Sequence, residues 1–124
     1  MKAYRIKDWK EHFEKADSRK CKNMQWVAVP NRFDGVGYSL VMAHERSSEI
    51  FTAWVLMLEL ASKQKIRGEL VNGKPLTPRS MAIMTRTKPE IFEVALKVLV
   101  DPEIGWIEEF DPSSGRHPDS IRTT

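Results

Sequence analysis

The residues with the clearest chemical meaning are cations and hydroxyls spread between positions 67 and 97: Arg67, Lys74, Arg79, Thr85, Arg86, Thr87, Lys88 and Lys97. Guanidinium and ammonium groups bind phosphate oxygens, and threonine hydroxyls can bond to the same oxygens. The run Thr85-Arg86-Thr87-Lys88 directly precedes Pro89, a residue suited to the first position of a helix. A helix N-terminus directs unbonded N–H groups and the positive end of its dipole outward, which favours an anion. The chemistry implied is phosphate recognition, with an affinity that falls as salt rises. The competing reading is that these charges are solvated groups around a turn.

Other chemistries find less in the chain. His12, Cys21 and His44 are the plausible soft-metal ligands, and none stands at zinc-site spacing. Gly35-Val36-Gly37 lacks the third glycine of a dinucleotide-binding turn, and Asn31 to Gly35 reads as a turn rather than a ligand loop. No Ser or Cys has a base beside it in a nucleophile pattern. The expectation is therefore a protein that is not an enzyme and carries no cofactor or metal. The tryptophans Trp9, Trp26, Trp54 and Trp106 could stack on bases of single-stranded nucleic acid, but each lies in an apolar context that favours burial. Trp26 and Tyr38 flank a basic loop, and exposure of either would strengthen the single-strand reading.

Positioning the basic cluster requires a helix on each side of the Thr85–Lys88 turn. Thr77-Pro78 starts the first, with Met81, Ala82 and Met84 as its apolar side. Lys88-Pro89 starts the second, and Ile91, Val94, Ala95, Val98 and Leu99 recur along it at helical spacing. Asp101-Pro102 stops it, because proline disfavours the α conformation in the residue before it. A longer helix is predicted over 49–64, capped by Ser47 or Ser48 and apolar around most of its circumference, hence buried on several sides. Glu59 and its short length argue against a membrane span. Residues 66–71 alternate like a strand, Asn72-Gly73 signals a turn, and 104–109 reads as a strand able to pair with 66–71. Helix, strand, helix, helix, strand is the order of a winged helix-turn-helix. The second helix of the pair shows Glu90, Glu93 and Lys97 on its polar face. Two carboxylates there argue against sequence-specific groove reading.

The N-terminal third is predicted to pack on this core: a short strand at Tyr4-Arg5-Ile6, an amphipathic helix from Asp8 to about Asp17, and strands at Met24–Val29 and Tyr38–Met42. The 124 residues fit one small domain, with 41% hydrophobic residues able to form a core. The charged N-terminus lacks a signal-peptide apolar region, and the single cysteine excludes an intrachain disulfide; both point to the cytoplasm. The net charge of +3 conceals an asymmetry. Residues 1–46 carry ten Lys/Arg against six Asp/Glu, residues 47–88 seven against three, and residues 89–124 three against eight. A basic body with an acidic C-terminal third suits a protein that meets phosphate on one side, though a mixed surface on a slightly basic protein explains it as well.

A set of residues resembles a known family. It comprises Tyr4-Arg5-Ile6-Lys7, Trp26-Val27-x-Val29-Pro30-Asn31, Asp34-Gly35-x-Gly37-Tyr38, His44, Ala53-Trp54, Ala61-Ser62, Arg67-Gly68-x-Leu70 and Gly105-Trp106-Ile107-Glu108. These resemble short phage and bacterial replication-type, DNA-binding proteins whose N-terminal domain is similar to the winged helix of DnaD-type primosome proteins and phage replisome organisers. The resemblance spans residues 3–110, and Asp119-x-Ile121-Arg122-Thr123-Thr124 is similar to the family's linker. Longer members continue past this point, so the resemblance implies either a short member or a truncated chain.

The expected architecture is mainly α within an α+β class: a winged helix-turn-helix domain over 1–110 with a small antiparallel sheet. Within it 1–46 is an N-terminal extension packed on the core, 47–110 is the helix-turn-helix core and wing, and 111–124 is a tail or linker. The expected function is nucleic-acid binding, to duplex or single-stranded DNA, in replication initiation or its regulation of phage or prophage type. The alternatives are a replisome protein-docking module that binds no DNA, and a dimeric transcriptional repressor. A homodimer through an exposed strip of the long helix is a further expectation, and no membrane is involved.

Overall fold

The computed structural model describes residues 2–14, 26–29 and 35–112. The chain runs β1 (Ala3–Ile6), α1 (Trp9–His12), α2 (Val36–Met42), α3 (Ser47–Ser62), β2 (Val71–Asn72), β3 (Lys74–Pro75), α4 (Pro78–Thr85), α5 (Pro89–Leu99) and β4 (Ile107–Phe110). It is an α+β fold with short antiparallel strands.

α3 is the centre. Ile50, Ala53, Trp54, Met57, Leu58, Leu60, Ala61 and Ser62 are buried along it, a set too wide for one helical face. α5 lies against it through Ile91, Phe92, Ala95, Leu96 and Leu99, and α2, α4 and β1 also contact it. Trp54, Leu58, Ile91 and Leu96 are buried in one cluster, and Phe51 and Trp106 pack against it partly buried. The expected helices at 49–64, 78–84 and 89–100 correspond to α3, α4 and α5.

The strands depart from expectation. Residues 66–71 do not pair with 104–109. β1 takes that place: it pairs antiparallel with β4, Ala3 opposite Phe110 and Ile6 opposite Ile107. On its other edge Ile6 N–H donates to the Gly68 carbonyl at 2.7 Å and Leu70 N–H to the Tyr4 carbonyl at 2.9 Å. Both edges of β1 are thus hydrogen-bonded, which suits a strand whose Ala3 and Ile6 are buried. Residues 66–68 are not extended because they turn the chain out of α3. Gly68 N–H donates to the Ala61 carbonyl, and Gly68 has φ of +99°. Only the second half of the strand expected at 66–71 is extended, with Glu69 bridging Arg5 and Val71 in β2. Asn72-Gly73 makes the expected tight turn, joining β2 to β3.

Two further strand expectations are corrected. Tyr38–Met42 is part of helix α2, and Trp26–Val29 has no regular structure. α2 is apolar but short, and Val41 is its one buried residue. As a helix the segment satisfies its backbone locally. α1 covers only the start of the helix expected over 8–17, and its end, the basic run at 19–22 with Cys21, the 31–34 turn and the tail beyond 112 lie outside the described residues. No helix among the described residues is long and apolar enough to cross a membrane.

Two substitutions test this packing. A Cβ on Gly68 would stand 2.6 Å from Trp9 Cβ, at a φ that side chains rarely adopt. Gly68→Ala should therefore destabilise the fold by about 2–4 kcal/mol in urea unfolding, combining left-handed strain with overpacking. Trp54→Ala should cost about 3–5 kcal/mol, and a loss under about 1 kcal/mol would contradict its place in the core.

Candidate nucleic-acid interface

The α4–α5 pair is built by local sequence signals. At the start of α4 the Ser80 N–H donates to Thr77 Oγ1 at 3.0 Å, and the Thr77 N–H donates to Ser80 Oγ at 2.8 Å. This reciprocal capping box, with Pro78 behind it, fixes the first turn. α4 buries only Met81 and Ala82, so its cap, worth about 1 kcal/mol, is a sizeable addition to its packing. Residues Arg86, Thr87 and Lys88 then join it to α5.

Arg86 closes α4 in the left-handed conformation, with φ 59° and ψ 44°. The Thr87 N–H reaches back to the Ala82 carbonyl at 2.9 Å, a C-terminal arrangement in which glycine is the usual left-handed residue. An arginine there accepts a strain of about 1–2 kcal/mol. The Thr85 hydroxyl donates to the Met81 carbonyl at 2.7 Å, and the hydroxyls of Thr85 and Thr87 lie 2.8 Å apart. Both threonines are thus engaged within the turn. Lys88 is the N-cap of α5, and it makes no side-chain cap bond.

The fold treats the eight residues singled out from sequence unequally. Lys74, Arg79, Arg86, Lys88 and Lys97 are exposed and carry no ion pair to a described residue. Arg79, Ile83 and Arg86 follow one another at i, i+4 and i+7, so they share the outer side of α4. Arg67 is drawn away from the set. Its Nε lies 3.0 Å from Glu14 Oε2, which also accepts the indole N–H of Trp9 at 2.6 Å, and little of the Arg67 side chain meets solvent. The corner between α1 and the end of α3 therefore claims this arginine.

From sequence, the N-terminus of α5 is preceded by no carboxylate close in the chain, but the fold supplies one. Glu49, in the first turn of α3, interacts electrostatically with Lys88, and Glu90 with Arg46. Arg46 Nε hydrogen-bonds Glu49 Oε1 at 2.6 Å. That bond holds the Glu49 carboxyl below its usual range, with a smaller contribution from Lys88. It also raises the Arg46 guanidinium, to which Glu49, Glu90 and Glu45 add by charge. The start of α5 is thus a patch of alternating sign, with Arg86 and Arg79 on the side of α4. Farther along α5, Glu90, Glu93 and Lys97 are all exposed, as the sequence pattern implies.

Of the aromatics, Trp9 and Trp54 are buried, Tyr38 and Trp106 partly so, and Trp26 is 86% exposed. Trp26 is the exposed aromatic whose presence beside the basic loop the sequence leaves open. No family model, curated protein or solved structure matches the chain.

The strained turn gives a prediction of its own. Arg86→Gly relieves the left-handed strain, so the melting temperature should stay level or rise, by up to about 1 kcal/mol of stability, while a cation leaves the surface. A clear loss of stability in thermal unfolding would mean that the Arg86 side chain has a structural role.

Proposed function

We propose that the protein binds nucleic acid through the α4–turn–α5 pair, as a helix-turn-helix. The observation that carries the reading is the turn. It joins two helices in three residues and places an arginine, in a conformation normally left to glycine, beside an exposed lysine at the start of α5. Such strain is a pointer to function when nothing in the packing asks for that side chain. The direct pairing of 66–71 with 104–109 that a winged helix would use is replaced by β1, so the reading rests on the helix pair and not on a wing.

The binding proposed is of phosphate backbone, weakly dependent on sequence. Arg79, Arg86 and Lys88 would contact phosphate, with Lys74 and Lys97 as peripheral cations. Glu90 and Glu93 on the outward side of α5 disfavour base reading. The family resemblance gives this activity a setting, replication initiation or its regulation in a phage or prophage. A second reading, docking of a replisome protein without DNA contact, is favoured by one observation. Ile83 and Met84 are 69% and 46% exposed on α4, next in the chain to the turn that leads to Glu90 and Glu93.

A titration against duplex DNA at several salt concentrations tests the first reading. The double variant Arg86→Ala/Lys88→Ala should weaken binding about equally across sequences. It should also flatten the slope of log K against log salt by up to about 2, near 0.9 for each phosphate no longer neutralised. Glu90→Gln/Glu93→Gln should bind as well or better. Absence of wild-type DNA binding at low salt, or an Arg86/Lys88 variant that binds like wild type, would transfer the function to the docking face.

A further inference from the structure

An open cleft of about 330 Å³ lies between the turn after β1, the start of α2, α3 and the turn before β4. Its aromatic lining is Phe13, Tyr38, Phe51, Trp54 and Trp106. The Trp54 and Trp106 centroids are 5.2 Å apart, and Tyr38 meets Phe51 edge to face at 6.2 Å. Gly35, Gly37 and Gly105 also line the cleft. A Cβ on Gly37 would come within 3.0 Å of Trp106 Nε1, so the absence of a side chain there is what lets α2 approach the indole. Cavities of this size, mostly apolar with a few polar groups, suit a small planar ligand.

The polar groups narrow its chemistry. The indole N–H of Trp106 has no acceptor among the described residues. Lys7 is exposed at the same cleft, its backbone N–H donates to the Trp106 carbonyl at 3.1 Å, and its ammonium has no carboxylate partner among the described residues. Asp8, next to it, carries no ion pair to a described residue. The cleft thus offers aromatic surface, a free donor beside it, a cation at the rim and a carboxylate. An apolar side chain or an acyl chain would leave the donor and both charges unanswered. A nucleotide answers each: its ring for the aromatic surface, a ring nitrogen or carbonyl for Trp106, a phosphate for Lys7, and an exocyclic amine or sugar hydroxyl for Asp8.

We propose that this cleft receives one nucleobase, with the attached phosphate at Lys7. The base would come from an unpaired stretch of a single strand or from a free mononucleotide. This deepens the nucleic-acid reading and rests on it, but uses residues separate from Arg86 and Lys88. A single-strand pocket on the same chain as a duplex-binding turn would suit a protein acting where a duplex is opened.

The test titrates the full chain with a short oligodeoxyadenylate, with AMP, and with a duplex of the same length, following tryptophan emission and ligand anisotropy. Quenching by the oligonucleotide is expected. Quenching by AMP as well would identify a free nucleotide as a source, and quenching by the oligonucleotide alone an unpaired base in a strand. Lys7→Ala and Tyr38→Ala should each weaken this capture at least about fivefold, the scale of one stacking partner or one phosphate partner removed, and leave duplex binding unchanged. Trp106→Phe should reduce the quenching to the part that Trp54 reports. No quenching by either probe, or capture unaffected by Lys7→Ala and Tyr38→Ala, would overturn the cleft proposal. Duplex binding that persists alongside such a result leaves the α4–α5 reading standing. Base capture without duplex binding would instead remove the α4–α5 reading alone.

Discussion

A helix that is apolar around most of its circumference cannot face water on any broad side, and α3 imposes that condition on everything else. Each large side chain it buries contributes about 1.5–3 kcal/mol, so Ile50, Trp54, Met57, Leu58 and Leu60 together outweigh any other element's share. Enclosing them takes α5 on one side, α2 and α4 on others, and β1 across a further one. β1 is held there because both its edges find backbone partners, Gly68 to Leu70 on one side and β4 on the other. The sheet is small, yet it ties the N-terminus of the chain to the segment after α5. Arg5 strengthens that tie, hydrogen-bonding Glu108 opposite it at 3.1 Å and lying 4.7 Å over the ring of Phe110.

That enclosure places the proposed interface and also limits it. α5 packs on α3 with its N-terminus near the start of α3, which brings Glu49 and Arg46 to the edge of the basic turn. The resulting alternation of sign blunts the attraction that the helix dipole and Lys88 would exert alone. Exposed pairs such as Arg46–Glu49 are worth little in stability, so their main effect here is on the local potential. Arg86 escapes this balance. Its left-handed backbone sets it at the end of α4, away from the ion pair, and it is the cation least explained by packing.

What the sequence disclosed follows the range of the forces involved. Thr77-Pro78, Lys88-Pro89 and Asp101-Pro102 are local signals, and α4 and α5 begin, and α5 ends, close to where they say. The periodicity of α3 is local too, and its burial follows from it. Strand partners are chosen across the whole chain. The pattern of 66–71 could not reveal that β1, some sixty positions earlier, would stand between it and β4. Tyr38–Met42 contains a β-branched and an aromatic residue like a strand, but such propensity is a weak guide, and it folds as part of α2. The basic residues are visible as types, whereas the ion pair that removes Arg67 joins positions 14 and 67. Arg86 gives no sign of its backbone, since a left-handed helix end is ordinarily read from a glycine and none stands there.

The aromatic cleft is hidden for the same reason, and its origin is physical. Its lining runs from Lys7 to Trp106, nearly the length of the described chain, and contains no motif. Gly35, Gly37 and Gly105 beside Trp106 are the available signal, and each taken singly reads as a turn residue. In the fold they act together. α3 needs aromatic cover at its Trp54 face, but Phe13 meets Trp54 edge-on and Trp106 meets it tilted, and they do not fill the corner. Gly37 lets the backbone of α2 come close to the Trp106 indole. A gap lined by rings and left open to solvent forgoes the dispersion attraction of a filled corner. Its persistence, beside an indole N–H and a lysine that no described residue answers, is the feature that asks for a ligand.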